Sequence, residues 1–214
     1  MISELLMLDA GGEERLESDG LMRGVAVGVV TDNQDPEKLG RVKVRLAYHE
    51  PGQDTFWARL AVPMAMANRG TYFLPEVDDE VLVAFERGDI AHPFVVGSLW
   101  HGQNPPPETN EDGKNDMRVI RTRAESELRF NDGDAPSIEV KLADGKHVVL
   151  DDSGILVSDG SNEIQIESQS GNLTVRCGGA LSLQGQSVSI KSDASMELNA
   201  SGTLTIKGAM VMIN

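Results

Sequence analysis

The sequence predicts an all-β protein in two parts: an N-terminal OB-fold barrel, then a C-terminal trimeric, intertwined β-helix or β-prism. Three observations predict it. Alternating apolar runs fill residues 24–100, a Pro- and Asn-rich stretch follows, and from Ile138 onward apolar pairs recur at i, i+2. The nine aromatic residues all lie at or before Phe130 and the nine prolines at or before Pro136. The last third therefore has no large side chain to fill a globular centre, whereas a narrow axis lined by Val, Ile, Leu and Met needs none.

In the barrel, Val25, Val27 and Val29 alternate with small residues, and Val42, Val44 and Leu46 alternate with Arg41, Lys43 and Arg45. Further runs cover Phe56 to Val62, Glu80 to Phe85 and Pro93 to Leu99. Turn signals separate them at Asp32-Asn33, Asp35-Pro36, Glu50-Pro51-Gly52, Asn68-Arg69-Gly70, Gly88-Asp89 and His92-Pro93. Five strands, longer than those of the shaft, in about 80 residues fit a small, partly closed barrel, and pattern alone also allows a small sandwich. Residues 101–117, HGQNPPPETNEDGKNDM, read as a linker that Pro105-Pro106-Pro107 holds extended.

Residues 118–214 read as a collar and shaft. The pairs are Ile138/Val140, Val148/Leu150, Ile155/Val157, Ile164/Ile166, Leu173/Val175, Leu181/Leu183, Val188/Ile190, Met196/Leu198, Leu204/Ile206 and Val211/Ile213, in steps of 7 to 10 residues. An i, i+2 pair puts both side chains on one face of a strand. Twenty such side chains, at roughly 60 to 120 Å² each, make a stripe of about 1,200 to 2,400 Å². Soluble monomers rarely expose more than about 300 to 600 Å². Three chains closing a prism on an apolar axis would bury the stripe, as would a one-chain solenoid with coils of about 24 residues. The periodicity suits both. That the pattern runs into the last four residues without a polar cap favours three chains.

These residues resemble a known family. Gly28-Val29-Val30-Thr31, Asp35-Pro36, Gly40-Arg41-Val42-Lys43-Val44, Trp57-Ala58-Arg59-Leu60-Ala61-Val62-Pro63, Pro75-Glu76-Val77-Asp78-Asp79-Glu80-Val81 and Pro93-Phe94-Val95-Val96-Gly97 are similar to the barrel shared by VgrG proteins and phage baseplate spikes. Arg118-Val119-Ile120-Arg121-Thr122-Arg123 and Glu127-Leu128-Arg129-Phe130 resemble the collar where such spikes enter their prism. The resemblance runs in register from about residue 24 to the end. Asp78 stands where the family usually has Gly, and only about 22 residues precede the barrel, so the chain is most similar to the short baseplate assembly protein V class. The resemblance implies a structural central spike of a contractile injection system, joining a hub and inner tube to a tip and piercing an envelope. The machine would be a phage tail, a type VI apparatus or an extracellular injection particle.

It further implies a homotrimer with Ile164, Ile166, Leu173, Val175, Leu181, Leu183, Val188, Ile190, Met196, Leu198, Leu204 and Ile206 in its core. A PAAR-type tip protein would bind Met210, Val211, Met212, Ile213 and Asn214. Residues 1–23 would dock on the hub through Ile2, Leu5, Leu6 and Leu8. The protein would be made in the cytoplasm and assembled into a virion or particle baseplate. Ten layers about 4.8 Å apart would give a shaft of about 50 Å, comparable to a membrane. A trimeric receptor- or glycan-binding fibre is the alternative, although such a fibre would be expected to end in an aromatic-bearing head.

Chemical readings are weaker. With 34 acidic against 19 basic residues and a net charge of −15, a phosphate backbone would be repelled, so no nucleic-acid partner is expected. Arg41, Lys43 and Arg45 read as a solvated or subunit-contacting face. Asp151, Asp152, Glu163 and Glu167 read as solubilising charge and not as a glycosidase pair. His49, His92, His101 and His147 share no ligand spacing, and no catalytic residue, cofactor or metal is expected. Cys177 is alone, which rules out a disulfide within the chain, and reads as a small apolar residue sharing the inward parity of Leu173 and Val175.

Overall fold

Burial alternates along Val25–Asp32 (β1), with Ala26, Gly28 and Val30 inside and Val25 and Val27 outside, as expected of a strand with one face on a core. The computed structural model describes residues 21–48, 50 and 54–213 and divides the chain into two compact units, one through Thr109 and one from Asn110. In the first unit β1 lies between Lys43–Leu46 (β2) and Glu80–Phe85 (β6), and Pro93–Ser98 (β7) carries Arg59–Leu60 (β3) on its far side. All pairs are antiparallel except β3 with β7. Ala65–Met66 (β4) and Arg69–Gly70 (β5) form a separate hairpin.

The run Phe56 to Val62 was expected to be one strand, and the structure shortens it to β3. Its N-terminal half bonds instead to the other edge of the sheet: Val42 and Ala58 exchange backbone hydrogen bonds of 3.0 and 2.8 Å, and Thr55 N–H donates to the Val44 carbonyl at 2.7 Å. A segment that passes from an antiparallel partner to a parallel one within a few residues closes the sheet into a barrel and leaves no room for a long regular strand. Pro63, which lacks an N–H, follows directly. Inside lie Met22, Ala26, Val30, Val42, Val44, Leu46, Ala58, Val81, Val83, Phe85 and Val95. Asp78 has φ +77°, a left-handed backbone that favours Gly and that Asp tolerates, and its amide donates to the Val30 carbonyl at 2.9 Å.

One loop organises the barrel's edge. The Asp35 carboxylate accepts from the amides of Glu37 (3.0 Å), Leu39 (2.9 Å) and Arg41 (3.3 Å) and from Arg41 Nε (2.9 Å) and Nη2 (2.8 Å). The Arg41 guanidinium, followed by those amides, holds the Asp35 carboxyl well below the usual carboxylate range. A depressed native pKa stabilises the fold above the unfolded carboxyl's value and loses that contribution as pH falls through the native value. Asp35→Asn is therefore expected to lower the melting temperature of the full chain at pH 7, with the gap from wild type closing only in strong acid. A melting series from pH 7 to pH 2 showing no gap at neutral pH would remove the role.

The second unit is a seven-stranded antiparallel meander: Met117–Arg121 (β8), Glu127–Asn131 (β9), Ser137–Lys141 (β10), His147–Asp151 (β11), Gly154–Ser158 (β12), Glu163–Glu167 (β13) and Leu173–Arg176 (β14). Met117, read as the last linker residue, is the first of β8. Acidic side chains tie the turns. Asp151 Oδ1 accepts from the amides of Ser153 (2.8 Å) and Gly154 (3.1 Å), and Asp159 Oδ1 accepts from Ser161 (2.9 Å) and Asn162 (2.7 Å). Those bonds, the Asn162 amide first, pull the Asp159 pKa down to about 2.

The strands expected at Leu181/Leu183, Val188/Ile190, Met196/Leu198, Leu204/Ile206 and Val211/Ile213 are absent from the single chain. Among the described residues no strand occurs from Cys177 to Ile213. The physical reason is that an extended backbone needs a neighbouring strand for its N–H and C=O groups, and the turns that fold β8 to β14 back on one another end at Arg176.

Candidate functional site

Strand pairing in the meander is in register at every step, which assembles the apolar pairs into two lanes. One runs Phe130, Ile138, Leu150, Ile155, Ile166, Leu173, and the other Ile120, Leu128, Val140, Val148, Val157, Ile164, Val175. Because a strand's side chains alternate, both lanes lie on one face, and Arg129, Glu139, Gln165 and Thr174 lie on the other. The exposed lane residues range from 37% exposure at Phe130 to 65% at Leu173. The four pairs joining Ile164, Ile166, Leu173 and Val175 with Val157 and Ile155 are thus a continuous open surface.

Leu181, Leu183, Val188, Ile190, Met196, Leu198, Leu204 and Ile206 are exposed in the strandless segment, as are Met210, Val211, Met212 and Ile213, with Met212 at 80% and Ile213 at 90%. Asn214 lies outside the described residues, as do Ile2, Leu5, Leu6, Leu8 and His49. Cys177 is half-buried, with Sγ 3.5 Å from the Gly179 carbonyl oxygen.

The carboxylates have local tasks. Glu163 accepts from Arg176 Nη1 at 3.3 Å, Glu167 from Ser170 Oγ at 2.7 Å and Asn172 Nδ2 at 3.2 Å. Glu127 sits between Arg121 and Arg129; its partial burial raises its pKa, but the two guanidiniums bring it below the usual value. On the barrel, Arg41 is held by Asp35, whose side chain is 3% exposed, and by Glu37, while Arg41 and Lys43 lie 6.0 and 5.4 Å from the Trp57 ring centre. Two of the three cations on the strand face read from the sequence are therefore engaged within the barrel. His92 Nδ1 lies 3.0 Å from Asp89, and His147 Nδ1 lies 2.8 Å from the Gly145 carbonyl. Among the described residues no three His, Cys, Asp or Glu groups gather in a way that could hold a metal ion. No described helix is long and apolar enough to cross a membrane.

The five-stranded barrel is the part of the expected arrangement that the family resemblance implied for residues 24–100. Residues 26–100 match the family described as the type VI secretion system/phage-baseplate injector OB domain. The chain is therefore VgrG-like, and its barrel is similar to the injector OB domain. Along 92% of its length the chain is 26% identical to the Actin cross-linking toxin VgrG1 of Vibrio cholerae, of which it spans 17%. It is 29% identical over 118 residues to the type VI secretion system spike protein VgrG3 of Vibrio cholerae, and 33% identical over 92 residues to the spike protein VgrG5 of Pseudomonas aeruginosa, spanning 12% of each. The similarity to VgrG1 thus extends past residues 26–100 into the meander and the strandless segment. The alternation pattern does not reveal the β4–β5 hairpin beside the barrel's sheet; Asn68-Arg69-Gly70 marked only its turn.

Proposed function

We propose that the chain is a non-enzymatic structural component of the central spike of a contractile injection machine, acting as a homotrimer whose shaft is closed by the two apolar lanes. The single observation that carries this is the open two-lane ribbon continuing into a segment that, among the described residues, pairs with no strand. Thirteen half-exposed lane side chains at about 30 to 60 Å² and twelve more beyond Cys177 leave on the order of 1,000 Å² of apolar surface, above the roughly 300 to 600 Å² tolerated by monomers. Three copies would supply both the missing apolar cover and the missing strands. Residues 117–176 would give one sheet face per chain, and residues from Cys177 on would intertwine, with Leu181 to Ile206 on the axis. The VgrG relatives named as spike proteins support the same reading.

In this reading a hub component meets the barrel end, and the assembly belongs to a secretion or tail apparatus. Met210 to Asn214 from three chains would form a blunt apolar end that a PAAR-type tip protein covers. Truncation after Ser201 is expected to abolish binding of the tip protein in a pull-down with the full-length chain as reference. Retained binding would refute the site. The alternative of a receptor- or glycan-binding fibre has no aromatic platform in the second unit, where Phe130 is the one aromatic residue.

A further inference from the structure

The barrel carries an apolar groove that neither its core nor the lanes account for. It is a concavity of about 760 Å³ beneath the β4–β5 hairpin. Leu39, Met64, Met66, Tyr72 and Phe73 line it and are each more than half exposed, Tyr72 at 76%. Lys38, Arg59 and Arg69 also line it. Arg59 is paired with Glu86 at 3.2 Å, whereas Lys38 and Arg69 make no ion pair among the described residues. A groove with apolar walls and a cationic rim, on a chain of net charge −15, selects an occupant that is both apolar and acidic.

We propose that this occupant is the chain's own N-terminal segment, Ile2-Ser3-Glu4-Leu5-Leu6-Met7-Leu8. The segment carries both chemistries: Ile2, Leu5, Leu6 and Leu8 for the walls and Glu4 for the rim, with Asp9 directly after it. Residues 1–20 hold six acidic residues, Glu4, Asp9, Glu13, Glu14, Glu17 and Asp19, against one base, Arg15. Position agrees. The Met22 amide donates to the Gly88 carbonyl at 2.8 Å, and the same short turn, Glu86–Gly88, holds Arg59 of the groove through Glu86. The twelve residues between Leu8 and Leu21 span up to about 40 Å when extended, ample for a site anchored on the same turn. The inference goes beyond the spike reading and places on the barrel the residues that the sequence assigned to the hub.

The test uses the full chain and the thioethers of Met64 and Met66, whose oxidation by hydrogen peroxide follows their access to solvent. Leu5→Asp/Leu6→Asp, a change at the terminus that leaves the barrel sequence intact, should speed oxidation of Met64 and Met66 several-fold by peptide mass spectrometry. Met7 serves as a second reporter on the segment itself. A synthetic peptide of residues 1–10 added to that variant should restore protection, and Arg69→Glu should weaken it. Equal oxidation rates in wild type and variant, fast or slow, would overturn the proposal. Equally slow rates would point to a second copy as the cover. Failure of the peptide to protect would overturn it too, whatever the oligomeric state.

Discussion

Ile164→Asp is expected to convert a species of three times 23.1 kDa into single chains or aggregates, as read by native mass spectrometry and light scattering. Ile164 lies opposite Val157 on one side and Val175 on the other, in the middle of its lane. A carboxylate there leaves the isolated sheet intact, because the position is 46% exposed in one chain. On a closed axis the same change places three unpaired carboxylates in a dry space at several kcal/mol each, on the order of 10 kcal/mol for the assembly. Gln165→Asp, one residue along on the opposite face, is the control and should leave the mass unchanged. A wild-type chain that runs as a well-folded single copy would remove the trimer, and with it the tip site and the piercing role.

Gly154→Ala is expected to be the most damaging small substitution in the second unit. Gly154 opens β12 with φ +143°, and a Cβ there would stand 1.8 Å from the Ile166 carbonyl oxygen. No side-chain motion relieves a clash with backbone, so β12 and β13 must part where Ile155 faces Ile166. The dihedral strain alone is about 1 to 3 kcal/mol, and the lost pairing adds to it. Gly145→Ala separates the two effects: φ is +91°, but nothing lies within 4 Å of the added carbon. Hydrogen exchange on the full chain should show the β12–β13 amides opening in Gly154→Ala and retained in Gly145→Ala. Equal protection of those amides in both variants would show that the close approach is not what fixes the hairpin.

Much of the barrel was legible because its strands obey local rules. The alternation of Val25 to Val29 and of Val42 to Leu46 follows from a one-sided core, Asp78 and Gly88 mark turns by positive φ, and Asp35 marks one by its carboxylate's bonds to nearby amides. The closure through Thr55 and Ala58 was not legible, since a segment that bonds to two strands in succession has no period of its own. The β4–β5 hairpin escaped for a similar reason: its residues are exposed on both sides, so no alternation announces it. The groove it covers was equally invisible, because Leu39, Met64 and Phe73 are brought together by the barrel's curvature and not by spacing in the chain.

The shaft divides the same way. The sequence by itself determined that apolar pairs recur at i, i+2 and that they make one stripe in need of cover, because side-chain direction in a strand is set by position alone. Only the tertiary structure decided that the pairs from Ile138 to Val175 fall into two unbroken lanes and that in-chain pairing stops at Arg176. Register depends on the turns, on an Asp accepting the right amides and on Gly154 where a Cβ would strike the Ile166 carbonyl, and backbone hydrogen bonds continue only where another strand lies alongside.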